Sequence, residues 1–531
     1  MSRVERLIAI GPRAVAAAIS GLVMVLICPP IGLTWLQWFA YVPLLWALRD
    51  GPDRTNAKLG YWFGWTMLFS NFFWLADTVV IFSSLPYALS IGVVVLFATV
   101  WAIPYAMVFG SARWLRARLG LSWIVIVPAL QVANEALWPS LFPYYLGSVQ
   151  YRSGALWQLA SVTGVAGISY LIVFTNCALA EGLYRLHEKR RPPLGVYAAL
   201  AAVIAGVLAW GSARYDAVEA ELSEAPVIRA AILQQAGSME DWLTKSAWQA
   251  LQSWVVLTRQ LEELEPDLVV WPEGSIIINP DDEKDYRALG GISPREFFSR
   301  MVSRGDYDFL IGGGTIELHD GTTSDGRQRF TAYNSCYMFD RAGELGGRYN
   351  KMVPLPFGEY LPLADVFPIL RELIQGPGDF KAGEEVTFFQ GSLPDGDPYV
   401  FTSPICYEAI LTRQMWKMRD TDLFVNITND AWFGDTAAPH QHSMLAAVQA
   451  IEHGRPLLRV AFTGISMIVE PHGQILYETE PFVEVVKAEE LRMGRIETLY
   501  ARGGWLFSWL CILGSLIGVV TARMRATPSR T

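Results

Sequence analysis

Seven apolar runs follow one another in the first 212 residues, at roughly 14–28, 31–48, 59–77, 86–112, 120–137, 155–184 and 194–212, and an eighth covers about 504–522. A helix needs ~20 mostly apolar residues to cross a bilayer. One such run can be a core helix, but seven in succession are more than a soluble core supplies. Cys28-Pro29-Pro30-Ile31 leaves room only for a turn between the first two. No small-x-small cleavage pattern precedes the second run, so the first reads as a retained span, not a signal peptide.

The charges divide the chain further. The net charge is -9 with 51 acidic residues, too many for a chain held wholly in the membrane. Residues 1–212 carry +7, residues 504–531 carry +3, and residues 213–503 carry -19. The expected organisation is therefore a seven-span bundle over 1–212, a soluble domain over 213–503, and an eighth span with a short tail over 504–531. The acidic segment, roughly 290 residues long, suffices for one large core. Its acidity argues against a nucleic-acid partner, which needs basic patches.

Loop charges set the expected orientation. Basic clusters lie before span 1 (Arg3, Arg6, Arg13) and between spans 2 and 3 (Arg49, Arg54, Lys58). Others lie between spans 4 and 5 (Arg113, Arg116, Arg118), between spans 6 and 7 (Arg185, Lys189, Arg190, Arg191), and after span 8 (Arg523, Arg525, Arg530). With eight spans all of them fall on one side. That side is expected to be cytoplasmic and to hold both termini, which puts the acidic domain outside the cytoplasm. Asp77 and Glu135 end apolar runs and are expected to reach the water interface.

Within the soluble segment, β-rich runs alternate with helical or loop stretches. They are Val227–Leu233, Asp267–Trp271, Phe309–Gly313, Asn334–Phe339, Tyr399–Ser403, Leu423–Ile427 and Ala461–Val469. The alternation predicts an α/β layered domain, with chemistry just beyond strand ends. Three places fit. Asp267–Trp271 runs into Pro272-Glu273. Tyr399–Ser403 runs into Pro404-Ile405-Cys406-Tyr407-Glu408. A Gly-rich turn leads to Arg348-Tyr349-Asn350-Lys351 and on to Pro354-Leu-Pro-Phe-Gly-Glu359-Tyr360. Each motif alone is weak, since loop acids and turn lysines are usually surface charge.

Only Cys336 and Cys406 lie in the soluble segment. An oxidising exterior permits a bridge between them, but Cys336 reads as a buried strand residue. Cys406 sits at a strand-to-turn junction, where a helix end or a lysine would lower its thiol pKa. Pro439-His440-Gln441-His442 raises a metal alternative. It lacks the repeated Cys/His spacing of zinc sites, so no metal or other cofactor is expected.

Taken in order, Trp271-Pro-Glu273, Asn350-Lys351, Val353-Pro-Leu-Pro-Phe-Gly-Glu359-Tyr360 and Ile405-Cys406-Tyr407-Glu408 resemble the Glu-Lys-Cys signature of the nitrilase superfamily. Asn429-Asp-Ala-Trp432-Phe-Gly434, Pro439-His-Gln-His442 and Glu452-His-Gly-Arg-Pro-Leu-Leu-Arg459 are similar to its membrane branch, apolipoprotein N-acyltransferase. The resemblance covers nearly the whole chain. It implies a nitrilase-like αββα sandwich inserted between spans 7 and 8 of a bacterial inner-membrane protein, with the catalytic domain periplasmic. It implies acyl transfer from a phospholipid to the N-terminal amine of a diacylglyceryl-modified lipoprotein, by ping-pong chemistry through a thioester. By the same resemblance Cys406 is the nucleophile, Glu273 the general base and Lys351 the oxyanion stabiliser. Glu359, Tyr407, Glu408 and Trp432 shape the site. Trp242 corresponds to a substrate-contacting Trp, with the spacing after Gln234 shifted by about one residue. Where the family often has Thr after the Glu, this chain has Gly274. A tethered amide or nitrile hydrolase, and a transporter or receptor with an inactive external domain, are the competing readings.

Overall fold

The computed structural model describes residues 3–49, 53–83, 85–138, 141–237, 244–261, 263–322, 328–364, 366–369 and 379–525. The chain divides into two compact units. One comprises Met1–Ala76, Pro86–Asp216 and Thr498–Thr531; the other comprises Asp77–Leu85 and Ala217–Glu497.

The first unit is helical. Among the described residues, four helices are long and apolar enough to cross a membrane: Tyr87–Leu119, Val165–His187, Leu194–Leu222 and Tyr500–Met524. A fifth crossing is available if Arg54–Asn71 and Leu75–Ser83, bent by 58°, form one span. Gly11–Ile27 and Trp123–Leu137 are shorter apolar helices. The expected span at 31–48 is instead a 3-10 turn, Thr34–Trp38, and a seven-residue helix, Val42–Leu48. Buried amides explain the break. Gln37 donates to the Leu146 carbonyl at 2.6 Å and accepts from Gln150 at 2.7 Å. Asn176 donates to the Gln37 carbonyl and accepts the Tyr41 N–H, each at 3.0 Å. These side chains satisfy backbone groups that a helix would have paired internally. Glu135 also departs from expectation. It turns to protein partners, accepting from Gln131 at 3.0 Å and from the Leu146 N–H at 3.3 Å. The helix Leu194–Leu222 runs past residue 212 because Ala213–Leu222 is rich in Ala and Glu, good helix formers.

The second unit holds two six-stranded sheets. The first contains β1 (Val227–Gln234), β2 (Leu268–Ile276), β3 (Asp308–Thr322), β4 (Gln328–Phe339), β5 (Leu345–Asn350) and β12 (Val485–Arg492), in the order β12-β1-β2-β3-β4-β5. The second contains β6 (Phe389–Ser392), β7 (Pro398–Thr402), β8 (Leu423–Thr428), β9 (Leu457–Ala461), β10 (Met467–Val469) and β11 (Ile475–Glu478), in the order β11-β10-β9-β8-β7-β6. Each sheet has three parallel central strands, β1-β2-β3 or β7-β8-β9, flanked by antiparallel ones. Of the parallel strands, β1, β2, β8 and β9 are buried along most of their length, as their continuous apolar runs require. Helices make the crossovers. Ser246 and Gln249 form a capping box on the helix Ala247–Arg259, and Ser293 caps Pro294–Gly305. Trp254, Leu257, Phe298 and Val302 of these helices pack on Trp271, Phe309 and Ile311 of the first sheet. The fold is the expected nitrilase-like sandwich.

One predicted strand divides. Ala461–Val469 is not continuous, because Phe462–Ser466 turns between β9 and β10. Gly464 sits in that turn, where a Cβ would lie 2.1 Å from Asp430 Oδ2. The backbone is drawn against a buried acid, which a strand with side chains could not allow.

His453 ends the helix Ala438–His453, fully buried near Trp416 and Phe424. Burial, with Arg455 and Arg419, pushes its imidazole down to about 3. The folded state therefore keeps the ring neutral, while the unfolded chain takes up a proton below the ordinary value of 6.5. The stabilisation is complete above that value and is lost as pH falls towards 3. Thermal unfolding followed from pH 7 to pH 4 is expected to show a falling midpoint, with a shallower slope in His453→Phe.

Candidate active site

β2 carries Trp271-Pro272-Glu273 in its second half. Pro272 offers no N–H for the sheet, and the pairing of β2 with β3 breaks between Trp271 and Ile276. Gly274 adopts φ +71°, the left-handed conformation that glycine takes without a Cβ clash. The bulge turns Glu273 into the site, where its side chain is only 9% exposed. Its Oε1 accepts from Asn334 Nδ2 at 2.6 Å and from Lys351 Nζ at 3.3 Å. Its Oε2 accepts the Asn429 N–H at 2.7 Å.

Lys351 follows β5 and its side chain is 1% exposed. Its Nζ lies 2.7 Å from Glu359 Oε2, which also accepts the Leu355 N–H at 2.6 Å. Asn334 reaches Glu359 Oε1 at 2.5 Å and so bridges the two carboxylates. Burial opposes the ammonium charge, but Glu359 and Glu273 outweigh it and hold Lys351 well above the usual lysine range. The site thus contains a fixed cation between two acids.

Cys406 follows β7 at the head of a 3-10 turn, Cys406–Ile410. It is 5% exposed and adopts φ +51°, a left-handed conformation rare for residues other than glycine. Its thiol is free, as is that of Cys336, so no bridge joins them. The expectation of a lowered thiol pKa is corrected. Burial pushes it up, Glu273 and Asp430 add to the rise, and the pull of Lys351 and Thr428 does not offset them. These causes favour the protonated thiol, and a thiol in that form needs a base in order to act as a nucleophile.

Glu408 is fully buried and braces the two turns that carry Lys351 and Cys406. Its Oε1 accepts from the Tyr349 hydroxyl and the Met352 N–H, both at 2.8 Å, and from the Val353 N–H at 3.0 Å. Its Oε2 accepts the Ile405 N–H at 2.9 Å. Burial raises its carboxyl to about 7 despite these donors. Tyr407, the next residue after the thiol, is 6% exposed. Trp432 lies on the turn after β8 and stacks on Phe82, with centroids 4.7 Å apart and planes 9° apart. Trp242 lies outside the described residues.

Several residues here carry no sequence signal. Asn334 reads only as the start of a strand, yet it touches both acids. Asn429 contributes a backbone N–H, and Phe82 comes from the end of an apolar helix far away in sequence. His442 faces Asp430 Oδ1 with its Nδ1 at 2.8 Å and the Cys406 carbonyl with its Nε2 at 3.4 Å. Among the described residues one group of metal-type ligands converges, Glu219, Glu470 and His472. Arg492 bonds both of its carboxylates and offsets one of their two charges.

Comparison with known proteins finds relatives of both parts of the chain. Residues 20–178 match the family model of the apolipoprotein N-acyltransferase N-terminal domain, and residues 229–499 match that of carbon-nitrogen hydrolase. The apolipoprotein N-acyltransferase of Geobacter metallireducens is 31% identical over 520 residues, covering 96% of this chain and 95% of that protein. That of Bdellovibrio bacteriovorus is 27% identical and covers 92% and 91%. Among solved structures, Saccharomyces cerevisiae Nit3 of the nitrilase superfamily aligns at 18% identity and a TM-score of 0.36, over 50% of this chain and 90% of Nit3. With family models matched in order along both units and a relative aligned from end to end, the chain belongs to the apolipoprotein N-acyltransferase family.

Proposed function

We propose that this protein transfers a fatty acyl chain from a phospholipid to the N-terminal amine of a diacylglyceryl-modified lipoprotein, the last step of lipoprotein maturation. The observation that carries the reading is the buried Lys351 held between Glu273 and Glu359, with its charge felt at the Cys406 thiol. In the first half-reaction Glu273 takes the thiol proton as sulfur attacks the ester carbonyl. Lys351 stabilises the oxyanion, an effect worth ~3 kcal/mol for a single donor. The C–O bond breaks, the proton passes from Glu273 to the departing alkoxide, and lysophospholipid leaves a thioester on Cys406. In the second, the lipoprotein amine attacks, Glu273 takes a proton from nitrogen, and the C–S bond breaks to return the thiol. Glu359 keeps Lys351 placed and charged. Glu408 holds the turns, while Tyr407, Trp432 and Trp242 shape substrate entry.

The reading includes a place in the cell. Counting the broken segment at 31–48 as one crossing, the chain crosses the bacterial inner membrane eight times, with both termini cytoplasmic and the catalytic domain, 213–503, periplasmic. The one-sided basic clusters support this register. Both substrates are then lipid-anchored and reach Cys406 by lateral diffusion.

The test is mass spectrometry of Cys406 after incubation with phospholipid. A fatty thioester is expected on the native chain, with none at position 406 and no lipoprotein N-acylation in Cys406→Ala. Release of ammonia from small amides without any thioester from phospholipid would overturn the proposal in favour of a hydrolase.

A further inference from the structure

Behind the nucleophile lies a second set of buried charges that the steps above do not use. Asp430, His442 and Arg459 are each at most 3% exposed. They come from the turn after β8, the helix Ala438–His453 and β9. Asp430 Oδ1 faces His442 Nδ1 at 2.8 Å and accepts from the Thr428 hydroxyl at 3.1 Å, and its Oδ2 accepts from Arg459 Nη2 at 2.8 Å. Arg459 Nη2 also lies 3.2 Å from His442 Nδ1. Arg459 donates further to Asn426 Oδ1 at 2.5 Å and to the Ile465 carbonyl at 3.1 Å.

The network reaches the catalytic turn at two carbonyls. Asn426 Nδ2 donates to that of Pro404 at 2.8 Å, and His442 Nε2 lies 3.4 Å from that of Cys406. Burying the Asp430–Arg459 ion pair is costly, and apolar groups of similar volume often stabilise a core as well or better. A merely structural purpose therefore explains the cluster poorly, whereas its ending on the nucleophile's own carbonyl points to the reaction.

A carbonyl oxygen can only accept, so Nε2 carries a hydrogen whether the ring is neutral or charged. The only cis peptide among the described residues is Pro29-Pro30, so the Cys406–Tyr407 peptide is trans. In a trans peptide the C=O and N–H point opposite ways. Fixing the Cys406 carbonyl on His442 turns the Tyr407 N–H to the other face, and a bond to the carbonyl polarises that N–H. An N–H immediately after a nucleophile on a strand-to-helix turn is a recurrent oxyanion donor. The left-handed turn at Cys406 also needs bracing, since in that conformation a Cβ crowds the following carbonyl.

We infer that His442, held by Asp430 and Arg459, is a positioning residue that orients the Cys406–Tyr407 peptide so that the Tyr407 N–H joins Lys351 in binding the acyl oxyanion. The inference rests on the acyl-transfer reading above.

Two rates on the purified full chain separate this role from simple support of the fold. One is single-turnover acylation of Cys406 by phospholipid. The other is alkylation of Cys406 by iodoacetamide, quantified on its own peptide, a reaction that forms no oxyanion. His442→Ala is expected to slow acylation ~10²-fold, the scale of losing one oxyanion donor. Alkylation and half-saturation by phospholipid should each stay within about threefold, a small change on that same scale. His442→Gln, whose amide nitrogen falls near the position of Nε2, should recover about tenfold of the loss, part of one donor's effect. Equal falls in both rates, or unchanged acylation in folded His442→Ala, overturn the inference. If His442→Ala does not fold, Gln and Asn decide. The Asn amide falls near Nδ1, so Gln active with Asn impaired supports the role, and equal activities overturn it. Cys406→Ala run in parallel tests the underlying reading. Persistent acyl transfer there rejects that reading, whereas its loss beside an unaffected His442→Ala rejects only the inference.

Discussion

Replacing Lys351 with Met is expected to cost both the reaction and the fold. The ammonium lies 2.7 Å from Glu359 and 3.3 Å from Glu273, and all three side chains are at most 13% exposed. Met keeps the length of the stem but leaves two buried carboxylates facing each other across Asn334. Removing one partner of a buried charge set typically costs ~3–5 kcal/mol. Acylation of Cys406 should fall by ~10²–10³, since the oxyanion loses its charged donor. The stability deficit has a sign in pH. It should shrink as pH falls, because a proton on one carboxyl can stand in for the missing ammonium. Thermal unfolding of the detergent-solubilised chain at pH 5 and pH 8, beside thioester yield, measures both. A variant as stable and active as the native chain would show that Lys351 neither balances the acids nor serves the reaction.

Much of this site is legible in the sequence, for a physical reason. Lys351 and Cys406 follow strands and Glu273 lies where the pairing of β2 breaks, and strand ends are where an α/β domain presents chemistry. The parallel strands are legible too, since burial on both faces forces apolar runs. The edge strands β5, β6, β11 and β12 escape, because a half-exposed edge carries mixed residues that resemble a loop. The second apolar run misleads for a different reason. Hydropathy averages over Gln37, whereas the structure pairs that amide with Gln150 and the Leu146 carbonyl, and the helix breaks there. The thiol misleads because a nearby lysine is visible in sequence and burial is not. Asn334 escapes because a hydrogen-bonding role depends on which side chains the fold assembles around it, and no spacing records that.

The raised thiol makes Glu273 the residue on which both half-reactions depend. A lowered thiol would ionise without help, and loss of the base would then matter mainly for the amine. With the thiol held protonated by burial, the carboxylate must remove its proton as the carbonyl is attacked. Glu273→Gln is therefore expected to lower thioester formation and aminolysis alike, each by the ~10²–10⁴ that general-base catalysis contributes. It should also slow iodoacetamide alkylation of Cys406, which sets it apart from the pattern expected for His442→Ala. The substitution is nearly isosteric but not silent structurally. Glu273 offers only acceptors, to Asn334 and Lys351 on one oxygen and to the Asn429 N–H on the other. An amide must point its NH2 at one of these donors, so some stability loss accompanies the loss of rate. The decisive comparison is the ratio of alkylation rates, native to variant, as pH is raised. If Glu273 is the base, the ratio should narrow towards alkaline pH, where hydroxide takes over the thiol proton. A ratio independent of pH would mean that Glu273 acts through the shape of the site, and that another group takes the proton.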